Sequence, residues 1–216
     1  MKKLIALVLF LFNTIFTFSQ DNRNYRDVFE LNFVNGNIKN SIENINNKNF
    51  FLFYLWESNF IIQTKDGLKH SIKNLNFNIQ KKELVTKLSS SSFYIYDSSY
   101  IDFIMFENKV FKMIDSELYE VIFSYKNINL LKKTNLKFVD EINPLTKEYI
   151  SRKSFFVNDL FISNDYLTLN KINKKSLISF YGNMEEAMNI FIDKNNLSYK
   201  KEADLLNMFN YYKSIN

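Results

Sequence analysis

From Trp56 to Phe138 the chain repeatedly alternates short β-prone runs with turn residues, the pattern of an antiparallel meander. Phe60 to Thr64 leads into Lys65-Asp66-Gly67, and Leu68 to Ile79 then alternates. Asp-Gly between two strand-like runs marks a hairpin, because a primed turn needs a positive φ that glycine takes at little steric cost. In a regular strand Leu68, His70, Ile72 and Asn74 share one face, and the position of His70 just after the turn predicts an exposed or half-buried imidazole. Asn78 to Lys82 reads as a second turn into the strand Glu83 to Leu88. Ser89 to Ser92 is a polar break before Phe93 to Asp97 and Tyr100 to Phe106. Glu107-Asn108-Lys109 turns into Val110 to Ile114, and Lys126-Asn127 joins Leu118 to Tyr125 with Ile128 to Leu131. Asn135 to Val139 adds a strand.

Either side of the meander the pattern changes. Asp21 to Asn49 is rich in Asn and weakly patterned: Tyr25 to Phe33 fits a short helix or edge strand, and Gly36 onward fits a loop. Phe50 to Trp56 is a continuous apolar run, suited to a buried strand or to a segment lying across the sheet. Pro144, the only proline, predicts a change of structural unit within Glu141 to Lys147. Phe155 to Ile162 and Tyr166 to Leu169 flank Ser163-Asn164-Asp165 as a last hairpin, with Leu160 and Ile162 facing Leu167 and Leu169. From Asn173 the apolar spacing becomes helical. Leu177, Ile178 and Tyr181 line one face, closed by Gly182; Asn183 caps Met184 to Lys194; Ser198 caps a helix to about Lys213 carrying Leu205, Leu206, Phe209 and Tyr212. Such short helices are unstable alone and must pack on the sheet or on each other. The expected fold class is α+β: an antiparallel β meander, curled toward a half-barrel, with a small C-terminal helical cap. Its parts are a signal peptide (1–19), a weakly structured segment (20–49), a mainly β domain (50–170) and helices packed on that same domain (171–216).

Residues 1–19 carry the compartment information. Lys2 and Lys3 precede an apolar run from Leu4 to Phe18, and Thr17 and Ser19 are small residues at the positions a signal peptidase reads, so cleavage is expected between Ser19 and Gln20. The alternative is a retained N-terminal anchor, for which the run is short. Cleavage leaves 26 basic against 23 acidic side chains, a net charge of +3. The remaining lysines are scattered, without the basic stripe that nucleic-acid binding requires. The sequence has no cysteine, which excludes disulfides, thiolate chemistry and attachment as a lipoprotein. The expected location is therefore periplasmic, outer-membrane-associated or extracellular, with no transmembrane span after signal removal.

Phe18-Ser19-Gln20 is similar to signal ends common in Bacteroidota. Gln63-Thr64-Lys65-Asp66-Gly67 with Leu75-Asn76-Phe77-Asn78 resembles a strand, Asp-Gly turn and Leu-x-Tyr-Asn element, Phe77 standing where tyrosine is usual. Glu120-Val121 with Leu130-Leu131-Lys132-Lys133 resembles a later hairpin, and Leu197-Ser198-Tyr199-Lys200-Lys201-Glu202 with Tyr211-Tyr212 a C-terminal helix. Together these resemble a family of uncharacterised exported proteins of Bacteroidota. The resemblance implies export and architecture, and supplies no catalytic residue.

Chemistry is sparse. Gly36, Gly67 and Gly182 stand too far apart for a P-loop, a dinucleotide fingerprint or a nucleophile elbow. One histidine without cysteine is a poor basis for zinc. Asp97, Asp102, Glu107, Asp115, Glu117 and Glu120 can meet only through the fold, as a glycosidase pair or a calcium site, and several fall at turns where carboxylates bind local backbone. Phe51, Phe53, Tyr54 and Trp56, with Phe93, Tyr94, Tyr96 and Tyr100, either fill a core or line a groove for a sugar, peptide or acyl chain. Tyr54, Trp56, Tyr94 and Tyr96 are the candidate ligand-binding residues. No catalytic residue, metal or cofactor is expected. The leading expectation is a non-enzymatic envelope protein that binds a partner protein or a small apolar or sugar ligand, through a sheet edge or an aromatic groove. The alternatives are a hydrolase of an envelope or extracellular polymer and a carrier of an apolar ligand.

Overall fold

The computed structural model describes residues 26–27, 36–40, 50–89 and 92–216. The expected signal peptide, the Ser19–Gln20 cleavage point and most of 20–49 lie outside the described residues. The strands in chain order are β1 (Arg26–Asp27), β2 (Gly36–Asn40), β3 (Asn59–Thr64), β4 (Lys69–Lys73), β5 (Leu75–Asn78), β6 (Glu83–Lys87) and β7 (Ser92–Tyr96). They continue with β8 (Ile101–Phe106), β9 (Lys109–Ile114), β10 (Glu117–Tyr125), β11 (Ile128–Ile142), β12 (Tyr149–Ser163) and β13 (Asn170–Lys171). Three α-helices follow: α1 (Lys174–Tyr181), α2 (Glu185–Lys194) and α3 (Glu202–Ile215).

The fold is α+β, mostly antiparallel sheet with C-terminal helices. The strands divide between a nine-stranded sheet, β1-β4-β3-β8-β9-β10-β11-β12-β13, and a four-stranded sheet, β2-β7-β6-β5, and neither closes into a barrel. Among the described residues only the β1–β4 pair is parallel. Asn74 makes the division. Its φ of 57° breaks the alternating run Leu68 to Ile79, so β4 stays in the large sheet while β5 begins the small one. Gly36 opens β2 and does not lie in a loop, and only glycine fits there: a Cβ would collide with the Ile95 carbonyl oxygen and stand 2.6 Å from the Tyr94 ring.

The turns follow their local chemistry. Gly67 takes φ 88° in the β3–β4 turn, where the Thr64 hydroxyl donates to Asp66. Asp115 and Ser116 both adopt positive φ in the two-residue β9–β10 hairpin. The stretch Glu141 to Lys147, expected to hold a change of structural unit, instead belongs to the end and tip of one long ribbon in which β11 and β12 pair from Asn129↔Ser163 to Ile142↔Tyr149. Asn143 closes that tip, its Oδ1 accepting from Leu145 N and Thr146 N at 2.9 and 3.2 Å. β10 pairs β11 only as far as Lys133, so the outer ribbon runs on for roughly 30 Å at strand rise. Half of the exposed large apolar side chains among the described residues lie between Phe138 and Phe156. The hairpin expected at Ser163-Asn164-Asp165 is a wider connection, with Ile162 facing Asn170.

Two cores lie on one face of the large sheet. In the first, Phe60, Ile62, Ile104 and Phe111 of that sheet meet Leu75, Phe77, Leu84, Tyr94 and Tyr96 of the small sheet. In the second, Leu130 and Ile162 pack beneath Leu177, Met188, Leu205 and Phe209 of the helices. Fully burying each such side chain contributes about 1.5–3 kcal/mol before the entropy cost of ordering it. α1 starts with a reciprocal capping box between Asn173 and Ser176 and ends at Gly182, φ 52°. α2 carries no side-chain N-cap, so Asn183 does not cap it. Ser198 does not cap α3 either: its backbone N–H donates to Asp204 Oδ2 at 2.9 Å, and Lys201 holds the cap position.

Candidate functional site

One register row crosses the large sheet on the face that bears both cores: His70, Ile62, Ile104, Phe111, Glu120, Lys132, Leu160. The row is apolar from Ile62 to Phe111 and again at Leu160, and between them stands the pair Glu120 and Lys132. This pair marks the seam between the sandwich core and the helical core. Here the face opens into a cleft of about 380 Å³, lined by Leu52, Phe53, Tyr54, Phe106, Glu107, Lys109, Phe111, Glu120, Lys132, Thr134, Phe156 and Asn158.

An aromatic cluster forms its floor. Phe53 packs edge-on against Phe106 and Phe111 at ring-centroid distances of 5.5 and 5.2 Å, and Phe106 stacks on Phe60 at 4.4 Å. Phe53 belongs to the Phe50–Trp56 run, which is not a strand; it lies along β5 through a single bridge, Phe51↔Asn78. Buried Asn76 clasps it, Nδ2 donating to Phe53 O at 2.7 Å while Phe53 N donates to Asn76 Oδ1 at 3.0 Å. That clasp leaves Tyr54, 89% exposed, at the rim of the cleft.

The wall is polar and largely self-paired. Lys132 Nζ contacts Glu120 Oε2 at 2.9 Å and Glu202 Oε2, at the start of α3, at 3.1 Å. Lys109 Nζ contacts the other Glu120 oxygen at 3.2 Å. Burial works against the Lys132 ammonium, but the hydrogen bonds it donates to Glu120 and Glu202, together with their negative charge, outweigh it and raise its pKa above the usual lysine value. The Thr134 hydroxyl donates to Asn158 Oδ1 at 3.0 Å, so the Asn158 amide N–H groups are not used in that bond.

The four candidate aromatics occupy different places. Tyr54 is on the cleft. Trp56 is not: it packs edge-on against Phe51 and Phe93 at 4.7 and 5.7 Å and lines a separate cavity of about 220 Å³ beside Lys87 and Ser89. Tyr94 and Tyr96 are buried in the sandwich core, where Tyr96 Oη lies 2.9 Å from Thr86 Oγ1 and burial pushes both phenols up. His70 is also buried, 3% exposed, contrary to the exposed or half-buried position expected, because its side chain falls on the core face of β4. A third cavity of about 370 Å³ lies where Asn127 and Ile128 meet Phe180 and Tyr212.

The fold disperses most of the acids. Asp97 accepts from Ser99 N, Asp102 pairs with Lys112, and Glu117 pairs with Lys82 and Lys133. Only Glu107 and Glu120 share the cleft. No group of three metal-ligating side chains occurs among the described residues, and no helix among them is long and apolar enough to cross a membrane. Sequence reasoning missed Phe106, Lys109, Lys132, Thr134, Phe156 and Asn158 as cleft residues, since cross-strand register alone unites them. In comparisons with known protein families, curated proteins and solved structures, nothing matched the chain.

Proposed function

We propose that this is an exported, non-enzymatic protein of the cell envelope that acts by binding a small molecule in the cleft between its two cores. The observation that carries the reading is the make-up of that cleft: an aromatic floor, an exposed tyrosine at the rim, and a charged wall whose lysines are already matched by glutamates. Its volume falls within the roughly 300–1,000 Å³ of small-molecule sites. Placement in the envelope is supported by the signal-like pattern of residues 1–19 and by the resemblance to exported Bacteroidota proteins. The hydrolase alternative has less support. Both Glu120 oxygens accept from ammonium groups, whereas glycoside hydrolysis requires one carboxyl to hand over a proton. The carrier reading has less support too, because an acyl chain calls for an apolar enclosure and this cleft is open on a charged wall.

The test is a thermal-shift screen of small metabolites against the purified protein and its Tyr54→Ala variant. A ligand at 100 times its Kd stabilises the folded state by about 2.7 kcal/mol. The expected result is at least one compound that raises the melting temperature of the parent protein and loses that effect in Tyr54→Ala. Hits that stabilise both proteins equally contradict the cleft as the binding site.

A second reading rests on the ribbon. Among the described residues, β12 has no neighbouring strand beyond β11 from Tyr149 to Asp159, so an extended segment of a partner protein can add to that edge. Isotope-edited NMR of the β12 amides with and without such a partner separates this reading from the cleft.

A further inference from the structure

We propose that the ligand of the cleft is a small neutral saccharide, held with one ring face against Tyr54 and Phe156 and with its hydroxyls toward Thr134, Asn158 and the Glu120–Lys132 pair. This rests on the cleft-binding reading above and narrows it to a chemical class.

Charge is the first argument. The cleft is lined by two carboxylates, Glu107 and Glu120, and two ammonium groups, Lys109 and Lys132, and Glu202 adds a third carboxylate behind Lys132. Both lysines contact Glu120, at 3.2 and 2.9 Å, and the three carboxylates outnumber the two ammonium groups, so the cleft has no net positive charge to favour a phosphate or a carboxylate. An anionic ligand would instead meet the Glu107 carboxylate.

The second argument is the pairing of surfaces. Tyr54 and Phe156 are exposed aromatic side chains on the cleft lining, 89% and 44% exposed, and they share it with hydroxyl, amide and ion-pair groups. A saccharide has that same division, with an apolar face of C–H groups and a rim of hydroxyls that each donate and accept. The Asn158 amide N–H groups, the Thr134 oxygen and the Glu120 carboxylate supply both partner types to such a rim. An acyl chain leaves this wall unsatisfied. A peptide strand would be held by a backbone ladder, which the β12 edge offers and the side-chain lining of the cleft does not.

The experiment is isothermal titration of the purified protein with maltose, cellobiose and diacetylchitobiose, and with glucuronate and laurate as anionic and apolar probes. At least one neutral disaccharide is expected to bind, about tenfold tighter than glucuronate or laurate, and Tyr54→Ala and Phe156→Ala are each expected to weaken it by about tenfold. Tyr149→Ala, on the exposed ribbon outside the cleft, is expected to bind as the parent does, and circular dichroism checks that every variant is folded. Tighter binding of glucuronate or laurate, lost in Tyr54→Ala, overturns the saccharide class and leaves the cleft reading standing. The same holds if no saccharide binds while another compound from the thermal screen binds in a Tyr54-dependent way. Saccharide binding that neither cleft substitution weakens overturns both, as does the absence of any Tyr54-dependent ligand.

Discussion

Glu120 and Lys132 face each other across β10 and β11, with 2.9 Å between Oε2 and Nζ, between the apolar run Ile62-Ile104-Phe111 and Leu160 of one register row. Their side chains are 15% and 13% exposed, and Glu202 brings the first turn of α3 to the same ammonium. The pair therefore ties the helical cap to the sheet and forms one wall of the cleft.

Removing the ammonium leaves the little-exposed Glu120 carboxylate beside the more exposed Glu202, with Lys109 as its remaining cation. Lys132→Met is expected to destabilise the protein by about 1–3 kcal/mol. Lys132→Met combined with Glu120→Gln is expected to recover part of that loss, because the repulsion disappears with one charge. Urea unfolding of the single and double variants checks this, and a double variant no more stable than Lys132→Met contradicts it.

Asn76 is buried and clasps Phe53 through both its amide nitrogen and its oxygen. Asn76→Ala leaves the Phe53 N–H and carbonyl without these partners, at a cost of about 2–4 kcal/mol from two strong hydrogen bonds and a small cavity. The clasp also sets where Tyr54 stands, so ligand affinity should fall beyond what the loss of folded protein explains. Affinity measured on the folded fraction decides the point; unchanged affinity would detach Tyr54 from Asn76.

The buried tyrosines set the alkaline limit. Burial raises the phenol pKa of Tyr96 and Tyr181 most, and those of Tyr94, Tyr119 and Tyr166 as well. A group whose folded pKa is raised gives its full stability below the unfolded value, about 10 for tyrosine, and loses it as pH rises toward the folded value. Stability should thus be flat with respect to these groups to about pH 10, then fall by roughly 1.4 kcal/mol per pH unit for each fully protected tyrosine. The raised pKa of Lys132 acts in the same direction. Tyr96→Phe is expected to flatten the fall between pH 10 and 11, read from urea midpoints. An identical slope in both proteins contradicts the assignment.

The ribbon tip stores strain at Lys147, whose φ is 62°. Lys147→Gly is expected to stabilise the tip by up to about 1 kcal/mol. Hydrogen exchange of Asp140 and Arg152 amides should slow while exchange in β10 is unaffected. A two-stranded ribbon is marginal by itself, so these amides should exchange far faster than those of β3 or β8 in the parent protein.

Much of the fold is legible in the sequence because hairpin turns and period-two runs are local signals. Asp66-Gly67, Glu107-Asn108 and Lys126-Asn127 all join the strands they flank. What escaped depends on one residue or on distance. Asn74 sits inside an unbroken alternating run, and nothing nearby shows that a positive φ there passes the chain from one sheet to another. The ribbon was hidden because its outer half is exposed on both faces, which erases the polar–apolar alternation, and because Pro144 fits a hairpin tip as well as a boundary. Ser198 and Asn183 have the residue types of caps, but Asp204 engages Ser198 and no side chain caps α2. For the site, Tyr54 was visible as one of several aromatics. Tyr94 and Tyr96 fall on the same strand face, and that face meets the core. Glu120, Lys132 and Asn158 are neighbours only through register, which the sequence between them does not specify.

The most direct measurement is native mass spectrometry of the protein purified gently from the envelope of its own cells, alongside the Tyr54→Ala variant made in the same way. The predicted result is a discrete added mass of small-molecule size on the parent protein, released by mild activation and diminished in Tyr54→Ala. A bare protein in both samples, together with no small molecule that binds either one in solution, would contradict the claim that the cleft is a binding site.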